Sequence, residues 1–168
     1  MGTAIKAGLA RFPHAASAGL FVSDTGAGRV IGLGDGREPL LTYRLASADA
    51  RALLAGIALV AEIFFAAGAE SVYPAVAGLG ELRHPREAGV LRDGRFGPAA
   101  LTPTGFHPMG TARMGRDARR AVVDSWGAVH GAPGLYVADA SLFPTCVGVN
   151  PQVSIMAFAT RIARRITA

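Results

Sequence analysis

Apolar residues recur along the chain with two different periods, and each period predicts its own elements. Residues 18–33 read as a hairpin, with AGLFVS as one arm, a DTGAG turn in which Gly26 and Gly28 supply backbone freedom, and RVIGL as the other arm. In 40–45, Leu41, Tyr43 and Leu45 alternate with Thr42 and Arg44, the pattern of a half-buried strand. A helical period follows. Ser47 or Asp49 can cap it, Leu53, Ile57, Val60 and Phe64 mark one face, and Gly68 stands as its C′ residue. The opposite face is alanine rather than charge, which predicts cover on both sides. Residues 1–17, with Pro13 and His14, show no clear period and receive no element.

Further on, SVYPAV at 71–76 reads as a short strand. Residues 77–104, broken by Gly and Pro and interleaved with Arg83, Arg86, Arg92 and Arg95, read as a long irregular loop. FHPMGTARMG is turn-rich. GLYVADA at 134–140 is apolar on both faces, which predicts a central strand covered on each side and ending at Asp139. FPTCVGVNP is a loop, and 151–166 a terminal helix with Pro151 in its first turn. Ile155, Phe158, Ala159, Ile162 and Ile166 form its buried stripe, while Arg161, Arg164 and Arg165 complement the dipole at its C-terminus.

Composition narrows the reading. A chain of 168 residues with 51% hydrophobic content can bury a core and is not intrinsically disordered. The 22 Gly and 10 Pro predict many turns. Cys146 is the single cysteine, which excludes an intramolecular disulfide and a Cys-based zinc cluster. The net charge of +5 comes from a composition with Lys6 as its one lysine, and it is not read as a nucleic-acid footprint. Arg83–Arg95 and Arg113–Arg120 have only Phe96 and Phe106 nearby, so a nucleic-acid partner is not expected. Residues 52–69 carry one charge, Glu62, and are Ala-rich; a buried helix is expected there rather than a transmembrane span. The first 20 residues hold no continuous apolar core of a secretory signal, and the expected location is cytoplasmic, with peripheral membrane association left open.

Two motif classes fail on inspection. Gly32, Gly34 and Gly36 have the wrong third spacing for a dinucleotide fingerprint and lead into Pro39 rather than a helix, so they are read as a hairpin loop. His14, His84, His107 and His130 lack metal-ligand spacing to Cys, Asp or Glu, and no metal is expected.

Four blocks then occur in order: HPMGTARMG at 107–115, AVVD at 121–124, GLYVADASLFP at 134–144 and GVNPQVSIMAFA at 148–159. Together, over 105–168, they resemble the C-terminal signature of the glucose–methanol–choline (GMC) flavoprotein oxidoreductases. The GVNP form resembles the cholesterol-oxidase and long-chain-alcohol-oxidase type, and some sugar dehydrogenases, more than the branches with a second His. The resemblance implies FAD as cofactor and oxidation of a CH–OH group by hydride transfer to the flavin. It implies His107 as base for the hydroxyl proton, a role that suits an imidazole with an ordinary pKa of about 6.5. Asn150 matches the partner position and can orient the alcohol through its amide. Asp139, with Ala140 beside it, matches the site next to the ribityl–phosphate chain, although a turn or helix cap is an equal reading of that aspartate. Pro151 and the Gln152 backbone N–H match the helix start that faces the flavin. Thr111, Met109 and Cys146 are read as packing residues.

The expected fold class is therefore α+β: an antiparallel substrate-domain sheet with a covering helix, plus a C-terminal strand and helix that complete an FAD-binding domain, without the N-terminal Rossmann part. Residues 1–131 are expected to form the substrate domain with the His107 loop, and 132–168 the contribution to the FAD domain. The expected partners are a small-molecule alcohol and a chain supplying the N-terminal FAD-binding domain. A split subunit, a truncated product and a non-catalytic remnant all remain open, as does an Arg-rich nucleic-acid-binding module.

Overall fold

Hydrophobic spacing and small residues build the first core. The structure is a computed structural model that describes residues 2–34 and 36–167. Helix α1 spans Gly2–Arg11, strand β1 Gly28–Ile31, strand β2 Leu40–Tyr43, helix α2 Ser47–Ala66 and helix α3 Gln152–Ile166, with short 3₁₀ segments between α2 and α3. On α2, Ala50, Leu54, Ala58 and Ala61 are buried, and the alanines let the 3₁₀ segment Pro85–Leu91 approach closely through Ala88 and Leu91. Val72, Val76 and Leu82 complete this core, with Ile57, Phe64 and Phe65 packed around it. Val72 and Leu82 exchange backbone hydrogen bonds of 2.9 and 2.8 Å as a single bridge, so 71–76 is not the short strand its pattern predicts. The segment 77–104 is likewise more ordered than a loop. His84 and Glu87 close a capping box on Pro85–Leu91, in which Glu87 accepts from the Arg83 and His84 amides and the His84 ring accepts from the Arg86 amide.

Helix α2 ends as its sequence predicts, with Gly68 at a φ of 94° after the Ala67 cap. Its N-terminus differs. Ala46 is the cap residue and makes no side-chain bond, while Asp49 is buried and turned toward residues 25 and 26. Leu59 and Ile63 are exposed, so the helix is not covered all round.

Strands β1 and β2 pair antiparallel, Gly28 opposite Tyr43 and Ile31 opposite Leu40. The glycine-rich stretch 32–39 is thus the hairpin connection, with Gly34 at a φ of 72° and Gly36 at 71°. A hairpin within 18–33 does not form. The amides of Thr25 and Gly26 are committed to Asp49, which pulls 20–26 away from β1. Both strands are exposed throughout, including Leu41 and Tyr43, so β2 is not half-buried. Helix α1 lies where no period was visible, and Arg11 at its end reaches Tyr73 Oη (3.1 Å) and Glu81 (3.4 Å).

The second core holds Val123, Leu142, Phe143 and Ile162, with Met109, Met114, Val137, Ile155 and Phe158 around it. Residues 134–140 do not form the expected central strand. Gly131 and Gly134, at φ of 77° and 84°, turn the chain around Pro133, Tyr136 bridges only Ala128, and Leu135 is exposed. In α3, Ile162 is fully buried and Ile155, Phe158 and Ala159 half-buried, but Ile166 is exposed where the helix runs past the core. Mixed helices with a two-stranded antiparallel sheet are what the described residues contain. Among them, no helix is long and apolar enough to cross a membrane.

Candidate active site

Backbone bonds from 112 and 114 fix the loop that carries His107. The Ala112 N–H donates to the Ser141 carbonyl (3.0 Å) and the Met114 N–H to the Leu142 carbonyl (2.8 Å). Gly110, at a φ of 85°, makes the turn after His107, and a Cβ there would sit 3.5 Å from the Phe143 carbonyl. Asp124 organises the next turn by accepting from the Trp126 and Ala128 amides at 2.7 and 3.0 Å. Its neighbour Val123 is fully buried, which ties the whole block to α3 through Ile162.

The loop that leads into α3 brings up the other half of the site. Pro151 is buried and precedes the first helical residue, Gln152. The ladder begins with the Ile155 N–H donating to the Pro151 carbonyl (2.8 Å), so the amides of Gln152, Val153 and Ser154 precede it and remain for a ligand or water. His107, Asn150, Pro151, Gln152, Ile155 and Met156 line one open cavity of about 280 Å³. Four of the six sequence-predicted site residues therefore meet at the start of α3. His107 is half-buried and Asn150 exposed.

Asp139 and Ala140 are not in that lining. The Asp139 carboxylate caps the 3₁₀ segment Ala140–Leu142 by accepting from the Ser141 N–H at 2.8 Å. This is the capping geometry that a short acidic side chain adopts readily. Met109 is packed on the second core, in line with a packing role.

One neighbour of the site carries no sequence signal. The Phe21 ring stands with its centroid 6.2 Å from that of His107, tilted by 31°. The two residues are far apart in the chain, and nothing in the local pattern around Phe21 announces the contact.

Among the described residues, no group of His, Cys, Asp and Glu has the arrangement of a metal site. The cavity offers neutral donors: the helix-start amides, the Asn150 side chain and the His107 ring. No carboxylate lies in its lining. Such a donor set fits the edge of an electron-accepting ring system that takes up negative charge, as a flavin does on reduction.

Comparison with known proteins places the chain in a family. The family model described as GMC oxidoreductase, for the C-terminal domain, matches residues 35–159. The chain belongs to the GMC oxidoreductase family. A GMC-type oxidoreductase of Mycobacterium tuberculosis is 37% identical over 161 residues, which cover 95% of this chain and 25% of that protein. A long-chain-alcohol oxidase of Arabidopsis thaliana is 29% identical over 182 residues, covering 98% of this chain and 23% of the relative. A crystal structure of pyridoxine 4-oxidase from Mesorbium loti aligns with 85% of this chain and 28% of its own, at 19% identity and a TM-score of 0.44. The GMC chain described here spans about a quarter of the length of the M. tuberculosis relative. GMC oxidoreductases are flavoprotein oxidoreductases, generally dependent on FAD, and alcohol oxidases are among the relatives of this chain.

Proposed function

We propose that this chain supplies the alcohol-binding and proton-transfer side of an FAD-dependent oxidoreductase acting on a CH–OH group. The observation that carries the reading is the shared cavity: His107 and Asn150, from separate loops, line it together with the N-terminus of α3. FAD, when bound, supplies the acceptor for the hydride that leaves the carbinol carbon. His107 accepts the hydroxyl proton at a ring nitrogen, which leaves a carbonyl product once the hydride has departed. Asn150 donates from its side-chain amide to the alcohol oxygen and so orients the C–H bond; it cannot take the proton itself. The Gln152 N–H and the positive end of α3 stabilise negative charge beside the cavity by about 0.3–1 kcal/mol, more where water is excluded. Pro151 fixes the backbone at this start without needing an N–H of its own.

In the same reading Asp139 and Ala140 stand beside the cofactor's ribityl–phosphate chain, Asp139 keeping its cap on Ser141. Residues 1–131 act as the substrate side and 132–168 as the FAD-domain contribution. The two would be packed as one body, because Val123 lies in the same core as Leu142 and Ile162. A polypeptide segment with a glycine-rich ADP-binding turn is the partner this requires, since Gly32, Gly34 and Gly36 form a hairpin connection.

The test is kinetic, in a preparation of this chain with its FAD-binding partner segment, loaded with FAD. His107→Ala is expected to slow alcohol oxidation by about 10²–10⁴-fold while flavin absorbance stays bound. Asn150→Ala is expected to cost less, because it removes orientation and leaves the base. Small and equal effects from the two changes would take the pair out of the reaction.

A further inference from the structure

Residues 20–26 form a strap anchored on α2 at both ends, and between those anchors it passes the site. Asp49 holds one end, accepting from the Thr25 N–H (2.9 Å), the Gly26 N–H (3.1 Å) and the Thr25 hydroxyl (3.1 Å). Leu20 seats over Gly56, where a Cβ would stand 3.3 Å from its methyl carbons. Ser23 lies against the loop that carries Asn150, with its hydroxyl oxygen 3.0 Å from where a Cβ on Gly148 would stand. Between these anchors the Phe21 ring is brought beside His107 yet is 69% exposed. The strap is thus fixed on both sides of a large apolar side chain that nothing in the chain covers among the described residues. An apolar group held open next to a reactive histidine gains most when a ligand covers it.

Charge around this position is silent. The cavity lining contains no Asp, Glu, Lys or Arg, and Ile155 and Met156 are its apolar side chains; Phe21 stands outside that lining and adjoins it through the His107 ring. The one carboxylate on the strap, Asp24, accepts from the Tyr43 hydroxyl at 2.7 Å. A cationic alcohol would find no carboxylate in the lining, and an acidic one no guanidinium. A sugar would turn several hydroxyls toward Phe21, Ile155 and Met156, where they have no partner.

We propose that Phe21 is the wall on which the non-reacting part of the alcohol lies, and that this part is uncharged and apolar, aliphatic or aryl. The inference rests on the reading of His107 as the group that meets the reacting hydroxyl. It makes Phe21 a specificity-determining residue that touches substrate without taking part in proton transfer.

Binding to the full 168-residue chain tests it, read from the ring-proton NMR signals of His107 and Phe21. Benzyl alcohol is expected to shift both signals at concentrations at least about tenfold below those needed for glycerol. Phe21→Ser should weaken benzyl alcohol binding about tenfold and leave glycerol unchanged, while Phe21→Leu keeps most of the affinity. Unchanged affinity in Phe21→Ser overturns the proposal. So does a Phe21→Ser variant that loses only self-association, which would make the ring a protein contact. Oxidation of benzyl alcohol by the FAD-loaded assembly separates the two readings. Binding with the expected Phe21 dependence but no oxidation would defeat the catalytic reading and leave the wall standing. Oxidation that ignores Phe21→Ser would defeat the wall alone.

Discussion

Gly127 shows how little room the second core has. Its φ is 73°, and a Cβ there would lie 2.5 Å from the Val137 carbonyl oxygen and 2.7 Å from Ile162 Cδ1. Left-handed backbone costs an alanine about 1–2 kcal/mol, and overpacking adds about 1–3 kcal/mol. Gly127→Ala is therefore expected to lower unfolding stability by about 2–5 kcal/mol, visible as an earlier denaturant midpoint. A second residue contributes to the acid dependence of stability. The hydroxyls of Ser71 and Tyr73, with the Arg83 guanidinium, hold the Glu81 carboxyl down to about 2 from an ordinary 4.5. A carboxyl with a lowered folded pKa contributes stability that is complete above its unfolded value and fades as pH falls through the folded one. Thermal melting of the chain should accordingly lose stability as pH falls below 4.5 toward about 2, and Glu81→Gln should flatten that limb. An unchanged acid limb in Glu81→Gln would show that other carboxyls set it.

At the scale of elements, the strap depends on α2 through one side chain. Asp49→Ala leaves two amides and a hydroxyl without their acceptor, so a stability loss of about 1–3 kcal/mol is expected. The His107 ring signals should shift with it, since the Phe21 ring would leave its place; stability loss without that shift would separate the strap from the site. The same strap explains what was legible in the sequence. Helices α2 and α3 announce themselves because Leu53 and Ile57, or Phe158 and Ile162, repeat at helical spacing, and Gly68 punctuates cleanly, although the residue buried on α2 is Leu54 rather than Leu53. AGLFVS has the composition of a strand, but its fate is decided by Asp49, more than twenty residues away, and no local pattern reports such a partner. GLYVADA was misread for a related reason: an apolar run predicts burial on both faces but cannot supply neighbouring strands to pair with. His107 and Asn150 stand out in the sequence through their motif blocks, and the structure places both in the lining of one cavity. Phe21 was not legible, because its meaning lies wholly in a tertiary contact.

For the whole molecule, the hairpin is an exposed apolar edge. Val30, Ile31, Leu33, Leu40, Leu41 and Tyr43 are all substantially exposed on a two-stranded sheet, which is marginal alone in water. Unpaired strand edges of this kind template association. The isolated chain is expected to self-associate in sedimentation velocity runs despite its net charge of +5. Placing lysine at Val30 and Leu41, which face each other across the pair, should shift it toward monomer. A wild-type chain that sediments as a monomer at high concentration would show that the hairpin does not drive association.

The cavity is walled by segments that meet only through tertiary folding, His107 from one side and Asn150 from the other, and the Phe21 ring is brought beside His107 from near the start of the chain. Closing such distant segments costs loop entropy, and few backbone bonds hold the rim itself. The rim should therefore open while both cores are still intact, and its amides should exchange with deuterium earliest. Whatever molecule bridges the two loops acts as a clasp, withdrawing those open states from the ensemble in proportion to its affinity. Occupancy of the site then becomes part of what keeps the polypeptide folded.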